Sequence, residues 1–399
     1  MKPKFYRRVM NNGMTVIFEK RNIPVVAVGI AVRNGGINES SEEKGISHFI
    51  EHMLYKGTPT RNTQQIATEI EKNGGELNGF TDEEITAYWC KMPSNHIDIA
   101  LDVLGDMVKN PLFDEKELEK ERKVIFEEIK MRRDMPRIYV LDEIGSCLYG
   151  KPFGISLIGD YKILASITRK KMLKKFEQIY QPNNMILCVV GDADFDKIVA
   201  FAEKNFSNKR GKVPQFKIKK NNKSKIKKRT GIDQANLAFA YHVPLAGDKK
   251  SYAAQVLSTL MAGGMSSRLF SEIREKRNMA YAVKGSAEIN KDFAYNLIYV
   301  GTTKDKVEEV KKLILKEFEK VAENLDEKEL DQVKEQLIGN YRIGMEDSTG
   351  QMTNLLLYEI IGNAESFYDF EKRIKAVKLE DVKELAKIKN YSFFALVPN

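Results

Sequence analysis

Two of the four histidines in this 399-residue chain lie four positions apart, in the segment His48-Phe49-Ile50-Glu51-His52. Side chains four apart lie one above the other on a helix, so the two imidazoles can bind one Zn²⁺ ion. The carboxylate between them can then take a proton from a water molecule whose pKa the metal lowers to about 7. The spacing predicts a metal site with hydrolytic chemistry; the alternative is a pair of histidines on an ordinary solvated helix face.

The residues around the pair have the pattern of an amphipathic helix. Its apolar stripe comprises Ile46, Phe49, Ile50, Met53 and Leu54. At about 100° per residue, His48, Glu51 and His52 cluster on the opposite side. One face is therefore expected to pack against a core, while the other presents imidazole, carboxylate and imidazole together.

A catalytic zinc needs a third protein ligand, and a helix beginning at Asp114 offers several carboxylates. The predicted buried stripe of this helix comprises Leu118, Val124, Ile125 and Ile129. Glu121 and Glu128 fall within that stripe, seven residues apart, whereas Glu127 points away from it. A buried carboxylate needs a cationic partner, which is either a metal held by the histidine helix or a side chain such as Arg122 or a lysine. Periodicity does not separate the two glutamates.

Periodicity and turn signals predict the elements that position these residues. In the first half, strands are expected over 14–20, 24–33, 85–92 and 185–191, and helices over 63–72, 97–108, 114–133 and 193–206. The histidine helix is expected to begin near Ser40 and Ser41, with Glu42 and Glu43 in its first turn. Gly57 and Pro59 mark its end.

The second half repeats this order of elements. Strands are expected at 235–243, across 280–300 and at 392–397, with helices near 252–261, at 266–277 and from Asp305 onward. The segment Asp326-Glu327-Lys328-Glu329-Leu330 also repeats Asp114-Glu115-Lys116-Glu117-Leu118 at an offset of 212 residues. The order and the repeated segment together favour an internal duplication. At that offset Glu128 corresponds to Asn340, and the second half contains no HxxEH pattern.

The formal net charge of +9 would suggest a nucleic acid or an anionic membrane as partner. However, eleven lysines and arginines lie between Lys209 and Arg229 with no acidic residue among them, and the rest of the chain is nearly neutral. A polar, lysine-rich segment without interleaved aromatic residues, near the middle of the chain, is typical of a solvated linker. We therefore expect no nucleic-acid partner; a basic binding patch in this segment is the alternative.

Targeting signals and structural cysteine patterns are absent from the sequence. The basic start is followed by no apolar stretch of about 7–15 residues, and no apolar run approaches the roughly 20 that a membrane span needs. A cytoplasmic location without membrane contact is expected. Cys90, Cys147 and Cys188 are widely spaced, so they are expected to be buried apolar thiols.

Four segments carry a family resemblance: HFIEHMLYKGT, GGELNGFTDEEITAYW, ERKVIFEEI and MAGGMSSRLFSEIREKRNMAY. The chain resembles the pitrilysin/insulinase zinc peptidases, the inverzincins, whose motif is HxxEH. It looks most like their short, two-domain branch, which includes mitochondrial processing peptidase. The resemblance implies that His48, His52 and Glu128 bind one zinc ion, that Glu51 is the catalytic base and that Glu121 supports the site.

The resemblance also implies substrate contacts. In similar enzymes the peptide lies along an edge strand whose start matches Leu77-Asn78-Gly79-Phe80, so Asn78 and the backbone of Gly79 are expected to bind substrate. Gly79 replaces a more frequent alanine, a difference of little expected consequence for a backbone contact. Arg274 and Tyr281 match the family's arginine and tyrosine that point at the substrate carbonyl.

The predicted protein is a zinc metalloendopeptidase of the α+β class, with two similar domains that are each a mostly antiparallel sheet flanked by helices. Residues 1–208 would form the catalytic domain, 209–229 the linker and 230–399 a homologous domain without zinc. Long relatives enclose a chamber with four such domains, so a dimer is expected here, either of identical chains or with a related chain. Peptides or unfolded segments would be the substrates. The rival function is a non-catalytic scaffold or substrate-presenting subunit.

Overall fold

The protein is described from a computed structural model covering residues 3–399. It contains two compact units, and neither is a continuous stretch of chain. The first comprises residues 3–129, 157–216 and 343–368; the second comprises 130–156, 217–342 and 369–399. This division differs from the contiguous ranges 1–208 and 230–399 expected from the sequence, because each half contributes a segment to the other half's unit.

The first unit is built on a six-stranded sheet with the order β1-β2-β6-β3-β5-β4. Only β2 and β6 are parallel; the other four neighbouring pairs are antiparallel. The strands are β1 (Lys4–Val9), β2 (Thr15–Lys20), β3 (Val25–Val32), β4 (Glu76–Thr81), β5 (Thr86–Pro93) and β6 (Met185–Gly191). Almost every residue of β3 and β6 is buried, which is expected of central strands covered on both faces.

The second unit is built on a five-stranded sheet with the order β7-β11-β8-β10-β9. Here β7 and β11 are parallel and the remaining pairs are antiparallel. Its strands are β7 (Ser224–Arg229), β8 (Ala235–His242), β9 (Ala280–Ile289), β10 (Ala294–Thr302) and β11 (Ser392–Pro398). Two mostly antiparallel sheets flanked by helices confirm the predicted fold class.

Fourteen α-helices surround the two sheets within residues 3–399. They are α1 (Ile46–Leu54), α2 (Thr63–Glu71), α3 (Ile97–Lys109), α4 (Glu115–Asp134), α5 (Pro136–Leu148), α6 (Tyr161–Ala165), α7 (Arg169–Ile179), α8 (Phe195–Asn205), α9 (Ser251–Ala262), α10 (Val307–Asn324), α11 (Glu327–Gly344), α12 (Ser348–Ile361), α13 (Phe370–Lys375) and α14 (Leu379–Ala386). A π-helical turn, Phe270–Glu275, follows α9. No helix among these residues is both long enough and apolar enough to cross a bilayer.

The two exchanged segments carry corresponding helices. Helix α5 follows α4 in the sequence but belongs to the second unit, where it packs against β8 and β11. Helix α12 follows α11 and belongs to the first unit, where it packs against β3 and β6. A buried carboxylate helps to dock α12, since Glu359 accepts hydrogen bonds from Arg7 at 2.8 Å and from Arg33 at 3.0 Å. Each half of the chain thus completes the other half's sheet packing.

The basic segment is only partly a linker. Its last six residues form β7, an edge strand that pairs with β11. The cations on one face of β7 lie over an aromatic residue of α5: Lys227 donates a hydrogen bond to the Tyr139 hydroxyl at 2.6 Å, and the Arg229 guanidinium lies 4.4 Å from the Tyr139 ring centroid. Lysines on an edge strand also discourage pairing with another chain. The three cysteines are buried and free, as expected.

Candidate metal centre

The histidine helix α1 begins at Ile46, so the start expected near Ser40 and Ser41 is wrong. Residues 41–45 form turns that end at Gly45, whose φ of +94° favours glycine. The first-turn amides are satisfied by Glu39, which accepts from Gly45 N at 2.9 Å and from Ser47 N at 2.7 Å. The cap comes from a buried carboxylate upstream of the helix, and a short-range search for a serine cap misses it.

The predicted apolar stripe of α1 is fully buried in the core of the first unit. The opposite face carries the two imidazoles, whose ring centroids lie 4.6 Å apart. His48 is buried, while Glu51 and His52 are partly exposed. The wheel prediction for this helix is confirmed, because a helix packed on one side leaves its other face available for chemistry.

Helix α4 brings Glu128 to the imidazoles. Its Oε2 lies 3.6 Å from His48 Nε2 and 3.8 Å from His52 Nε2. One ligand atom from each of the three side chains fits within a 4.8 Å group. Ligands about 2.1 Å from a tetrahedral metal are separated by about 3.4 Å, so this group is the right size for zinc. Two imidazoles and one carboxylate are also a ligand set that zinc favours.

Glu121 lies on the same helix and contacts the other ring nitrogen of His52. Its Oε2 is 3.1 Å from His52 Nδ1, and its Oε1 is 2.7 Å from Lys56 Nζ. A carboxylate at Nδ1 places the imidazole proton there, which leaves Nε2 with a lone pair facing Glu128. The structure therefore separates the two glutamates that periodicity could not: Glu128 lies beside Nε2 of both imidazoles, and Glu121 contacts Nδ1 of His52.

The predicted stripe of α4 needs two corrections. Val124 is half exposed rather than buried. Arg122, the candidate cation for a buried glutamate, instead pairs with Glu119 at 2.9 Å and donates to the Ile167 carbonyl at 2.8 Å. The lysine alternative holds for Glu121, whose Oε1 pairs with Lys56. This 20-residue helix is highly charged, so its hydrophobic periodicity is weak. The periodicity therefore placed Glu121 and Glu128 correctly but misassigned Val124, at the border of the apolar stripe.

The Glu51 carboxylate is held by the sheet. Thr81, at the end of β4, donates a hydrogen bond to Glu51 Oε2 at 2.7 Å. Burial raises the pKa of the Glu51 carboxyl above its usual range, opposed by this hydrogen bond and by His52. A carboxylate with a raised pKa is a stronger base, although a bound cation would lower the pKa again.

Strand β4 is one of the two edge strands of the first sheet, and the resemblance implied an edge strand for peptide binding. Gly79 N donates to the side-chain carbonyl of its neighbour Asn78 at 2.8 Å. This amide is therefore directed away from β5, toward the open edge where an added strand would pair. Asn78 and Gly79 both lie where a peptide could reach them.

Arg274 and Tyr281 lie in the second unit. Arg274 is on the π-helical turn, with its guanidinium 4.8 Å from the Phe270 ring centroid. Tyr281, at the start of β9, is half exposed. Its ring packs against Gly301, where a Cβ would lie only 2.4 Å from ring atoms, and its hydroxyl lies 3.3 Å from that of Tyr299. Both side chains are partly exposed and held by defined neighbours.

Sequence reasoning missed Thr81 and Lys56. Signals for both exist in the sequence. Thr81 lies two residues after Gly79, so both face the same side of β4. Lys56 lies four residues after His52, about one helical turn further and just beyond the end of α1. From there it reaches Glu121, which also contacts His52. A search of the sequence two residues beyond Gly79 on the strand, and four residues beyond His52 on the helix, would have found both.

Comparison with known families decides the identity. The profile described as "Insulinase (Peptidase family M16)" matches residues 15–161, and the profile described as "Peptidase M16 inactive domain" matches residues 166–337. The chain belongs to the M16 peptidase family. The two matches meet between residues 161 and 166, and His48, His52 and Glu128 all lie within the first match.

Individual M16 relatives extend over nearly the whole chain. A Rickettsia felis protein named uncharacterized zinc protease is 36% identical over 87% of this chain and 85% of its own length. The Bacillus subtilis protein named uncharacterized zinc protease YmxG is 31% identical over 96% of this chain and 94% of its own. A crystal structure of a protease from Helicobacter pylori, 24% identical, superposes with a TM-score of 0.93 over the full length of both chains, which shows the shared fold. The predicted family is confirmed.

Proposed function

We propose that this chain is a zinc-dependent metalloendopeptidase, with His48, His52 and Glu128 as metal ligands and Glu51 as general base. The observation that carries the proposal is the 4.8 Å group of two imidazoles and one carboxylate, with Glu51 one residue before His52. A zinc ion held by these three residues would polarise the scissile carbonyl and lower the pKa of a water molecule.

The chain's own residues supply the rest of the chemistry. Glu51 takes a proton from the attacking water and returns it to the leaving amine. Thr81 holds one oxygen of that carboxylate, so the other oxygen is available to accept the proton. Lys56 and Glu121 together keep His52 in the tautomer that presents Nε2 to the metal.

The free edge of β4 is the proposed peptide-binding strand. Main-chain hydrogen bonds to Gly79 would align an extended peptide and require little of its side chains, so peptides and unfolded segments of varied sequence are the proposed substrates. Arg274 and Tyr281 are the proposed additional substrate contacts, contributing donors to the developing negative charge on the carbonyl oxygen.

We also propose a homodimer that encloses a chamber, by analogy with the four domains of long relatives. The check is the mass in solution by light scattering, with twice the monomer mass expected. A monomer that cleaves peptides would overturn the dimer proposal without affecting the metal centre. A chain that binds zinc but cleaves only with a related partner would favour the substrate-presenting alternative.

The deciding experiment compares wild type with Glu51→Gln. Metal content is measured by mass spectrometry, and cleavage by fluorescence of a quenched peptide library. We expect about one zinc per chain in both proteins and cleavage only in wild type. Metal-free wild type, or undiminished cleavage by Glu51→Gln, would overturn the proposed mechanism.

A further inference from the structure

Tyr299, a residue of β10, has a buried hydroxyl that the mechanism above does not use. It donates a hydrogen bond to Asn236 Oδ1 on β8 at 2.6 Å and lies 3.3 Å from the hydroxyl of Tyr281 on β9. Tyr299 and Asn236 are 4% and 3% exposed, whereas Tyr281, a proposed substrate contact, is 49% exposed. A chain of hydrogen bonds therefore runs from the interior of the second unit to a residue at its surface.

The direction of this chain is set at its buried end. Asn236 donates from Nδ2 to the Gln234 carbonyl, so its Oδ1 is the acceptor for Tyr299. Burial, and next the contact with Tyr281, raises the pKa of the Tyr299 hydroxyl, which therefore stays protonated. Since that proton is donated to Asn236, the Tyr299 oxygen accepts from Tyr281. At 3.3 Å this second bond is longer than the usual value of about 2.8 Å, so Tyr281 can exchange it for a substrate oxygen at little cost.

A β-bulge sets the direction of the Tyr281 side chain. Gly301 of β10 pairs with Ala282, whereas Thr302 pairs with Ala280. Tyr281 is thus an extra residue in β9. In an unbroken ladder it would pair with Thr302, and its side chain would point to the face opposite that of Gly301. Bulges re-aim side chains in this way and are over-represented beside active sites.

Gly301 leaves the space that the Tyr281 ring occupies. A Cβ at position 301 would lie 2.4 Å from two ring carbons of Tyr281 and 2.6 Å from its hydroxyl oxygen. The ring therefore lies across the face of β10 on which Tyr299, two residues earlier, also projects. The Arg137 guanidinium, on α5, lies 5.2 Å from the centroid of the Tyr299 ring, a cation–π contact that restrains Tyr299. The bulge, the glycine and the hydroxyl contact thus favour one orientation of Tyr281.

We propose that Tyr299 is a positioning residue for Tyr281: its hydroxyl, fixed by Asn236, holds the Tyr281 hydroxyl where it can donate to a substrate carbonyl oxygen. Gly301 contributes by leaving room for the ring. This inference rests on the proposed function, since positioning matters only if Tyr281 contacts substrate. Loss of the Tyr299 hydroxyl therefore acts on catalysis through Tyr281, and not through stability alone.

The first test is a double-mutant cycle with Tyr281→Phe and Tyr299→Phe. Tyr281→Phe removes the proposed donor, so we expect kcat to fall about 100-fold. Tyr299→Phe leaves the donor but removes its anchor, so we expect kcat to fall about tenfold, with KM within about twofold and zinc content unchanged. In the Tyr281→Phe background, Tyr299→Phe is expected to lower kcat no further.

The matched control is Tyr241→Phe. Tyr241 is also a buried tyrosine of the second sheet, and its hydroxyl accepts a hydrogen bond at 3.0 Å from Asn296 on the neighbouring strand. The variant loses a buried hydrogen bond comparable to that between Tyr299 and Asn236. Its melting temperature is therefore expected to fall while kcat stays at the wild-type value. A purely structural role for Tyr299 predicts the same result for Tyr299→Phe.

The second test has a readout that needs no activity. In Gly301→Ala the added methyl group would collide with the end of the half-exposed Tyr281 side chain, which can swing into solvent. We expect a crystal structure of this variant to show the Tyr281 hydroxyl beyond hydrogen-bond distance of Tyr299, whereas wild type keeps the two hydroxyls in contact. The melting temperature is expected to stay within about 2 °C of wild type, and kcat to fall as in Tyr299→Phe.

The outcomes separate this inference from the proposed function. Wild type that binds no zinc and cleaves nothing overturns the proposed function, and the positioning role with it. Active wild type with an undiminished kcat in Tyr281→Phe overturns the substrate contact and the positioning role but not the metal centre. A kcat reduced in Tyr281→Phe but not in Tyr299→Phe, an equal further fall when the two are combined, or a matching fall in Tyr241→Phe overturns the positioning role alone. Separated hydroxyls in wild-type crystals overturn the contact on which that role depends.

Discussion

The sheets of the two units share a five-stranded core with the same connections. The order β2-β6-β3-β5-β4 in the first corresponds to β7-β11-β8-β10-β9 in the second, with a parallel pair at one end and antiparallel pairs elsewhere. In each sheet the last strand in this order is an edge strand that packs against a helix, β4 against α1 and β9 against α9. Only the helix of the first unit carries histidines.

The two units differ most clearly in what lies beside one glycine of each edge strand. In the first unit the gap at Gly79 receives the Tyr55 hydroxyl and borders Glu51. In the second unit a Cβ at Gly285 would lie 2.8 Å from the Cβ of Ala262, at the end of α9. One glycine opens a polar notch, and the other allows a close apolar contact. The same packing of a helix on an edge strand therefore places polar groups beside the strand in the first unit and only apolar contacts in the second.

The largest expected effect is loss of the metal. Glu128→Gln would remove the proposed anionic ligand, so we expect less than one zinc per chain and a fall in cleavage beyond about 100-fold. The matched position in the second copy is Asn340, which is exposed on α11. Asn340→Ala is expected to retain metal and activity. Equal losses of zinc and cleavage in Glu128→Gln and Asn340→Ala would contradict a metal site confined to the first unit.

A smaller effect is expected from the ion pair behind His52. Lys56→Met leaves Glu121 without the cation at 2.7 Å, so we expect zinc affinity to fall about tenfold, measured by competition with a chelator. The control is Lys320→Met, which removes a lysine paired with Glu317 in the second unit. That control is expected to change the melting temperature only. Unchanged zinc affinity in Lys56→Met would remove Lys56 from the site.

The close contact in the second unit can be tested by filling it. Gly285→Ala would press a methyl group against Ala262, and overpacking of this kind costs about 1–3 kcal/mol. We expect a melting temperature lower by about 2–6 °C in calorimetry, with zinc content unchanged. Loss of zinc from this variant would contradict the description of α9 and β9 as packing alone.

One carboxyl in each unit is expected to respond oppositely to pH. Burial raises the pKa of Glu83 in the first unit to about 7, only partly offset by Lys44. Because its folded pKa lies above the ordinary 4.5, the folded state binds the proton more tightly, and this group lowers stability as pH rises from about 4.5 to 7. In the second unit burial opposes ionisation of Glu272, but hydrogen bonds from Lys276 and Arg277 outweigh it and hold the pKa low. Its contribution is lost only in acid, as pH falls below about 4.5.

The measurement is the melting temperature of wild type and Glu83→Gln at pH 6 and pH 8. We expect the wild type to lose about 1–2 °C more than the variant between the two values. Glu272→Gln is the matched control, and its pH difference over this window should equal that of wild type. An identical pH difference in Glu83→Gln would show that this carboxyl does not titrate there.

The smallest expected effect concerns the basic segment. Deleting residues 209–229 would also remove β7 from its sheet, so substitution is the cleaner test. Lys217, Lys219 and Lys220 are exposed and precede β7. Changing all three to glutamine is expected to leave peptide cleavage and retention on immobilised DNA unchanged at moderate salt. A clear loss of DNA retention would favour the nucleic-acid alternative instead.

Much of the first unit could be predicted because its signals are local. The wheel of α1 depends on spacing within nine residues, and the capping of α4 by Asp114 depends on residues three apart. The start of α1 could not be predicted in this way, because Glu39 caps it from outside the helix. Which sheet α5 and α12 would cover was also not predictable, since an apolar face specifies burial but not the partner.

The sequence by itself determined the chemistry: the residue types, their helical spacing and the single copy of the HxxEH pattern. Tertiary structure decided which glutamate faces the imidazoles, which side chains hold Glu51 and His52, and what lies in the gap at Gly79. The physical reason is that covalent geometry sets the distances within one helix or strand. Distances between α1, α4 and β4 depend on packing of the whole first unit, and no local pattern encodes them.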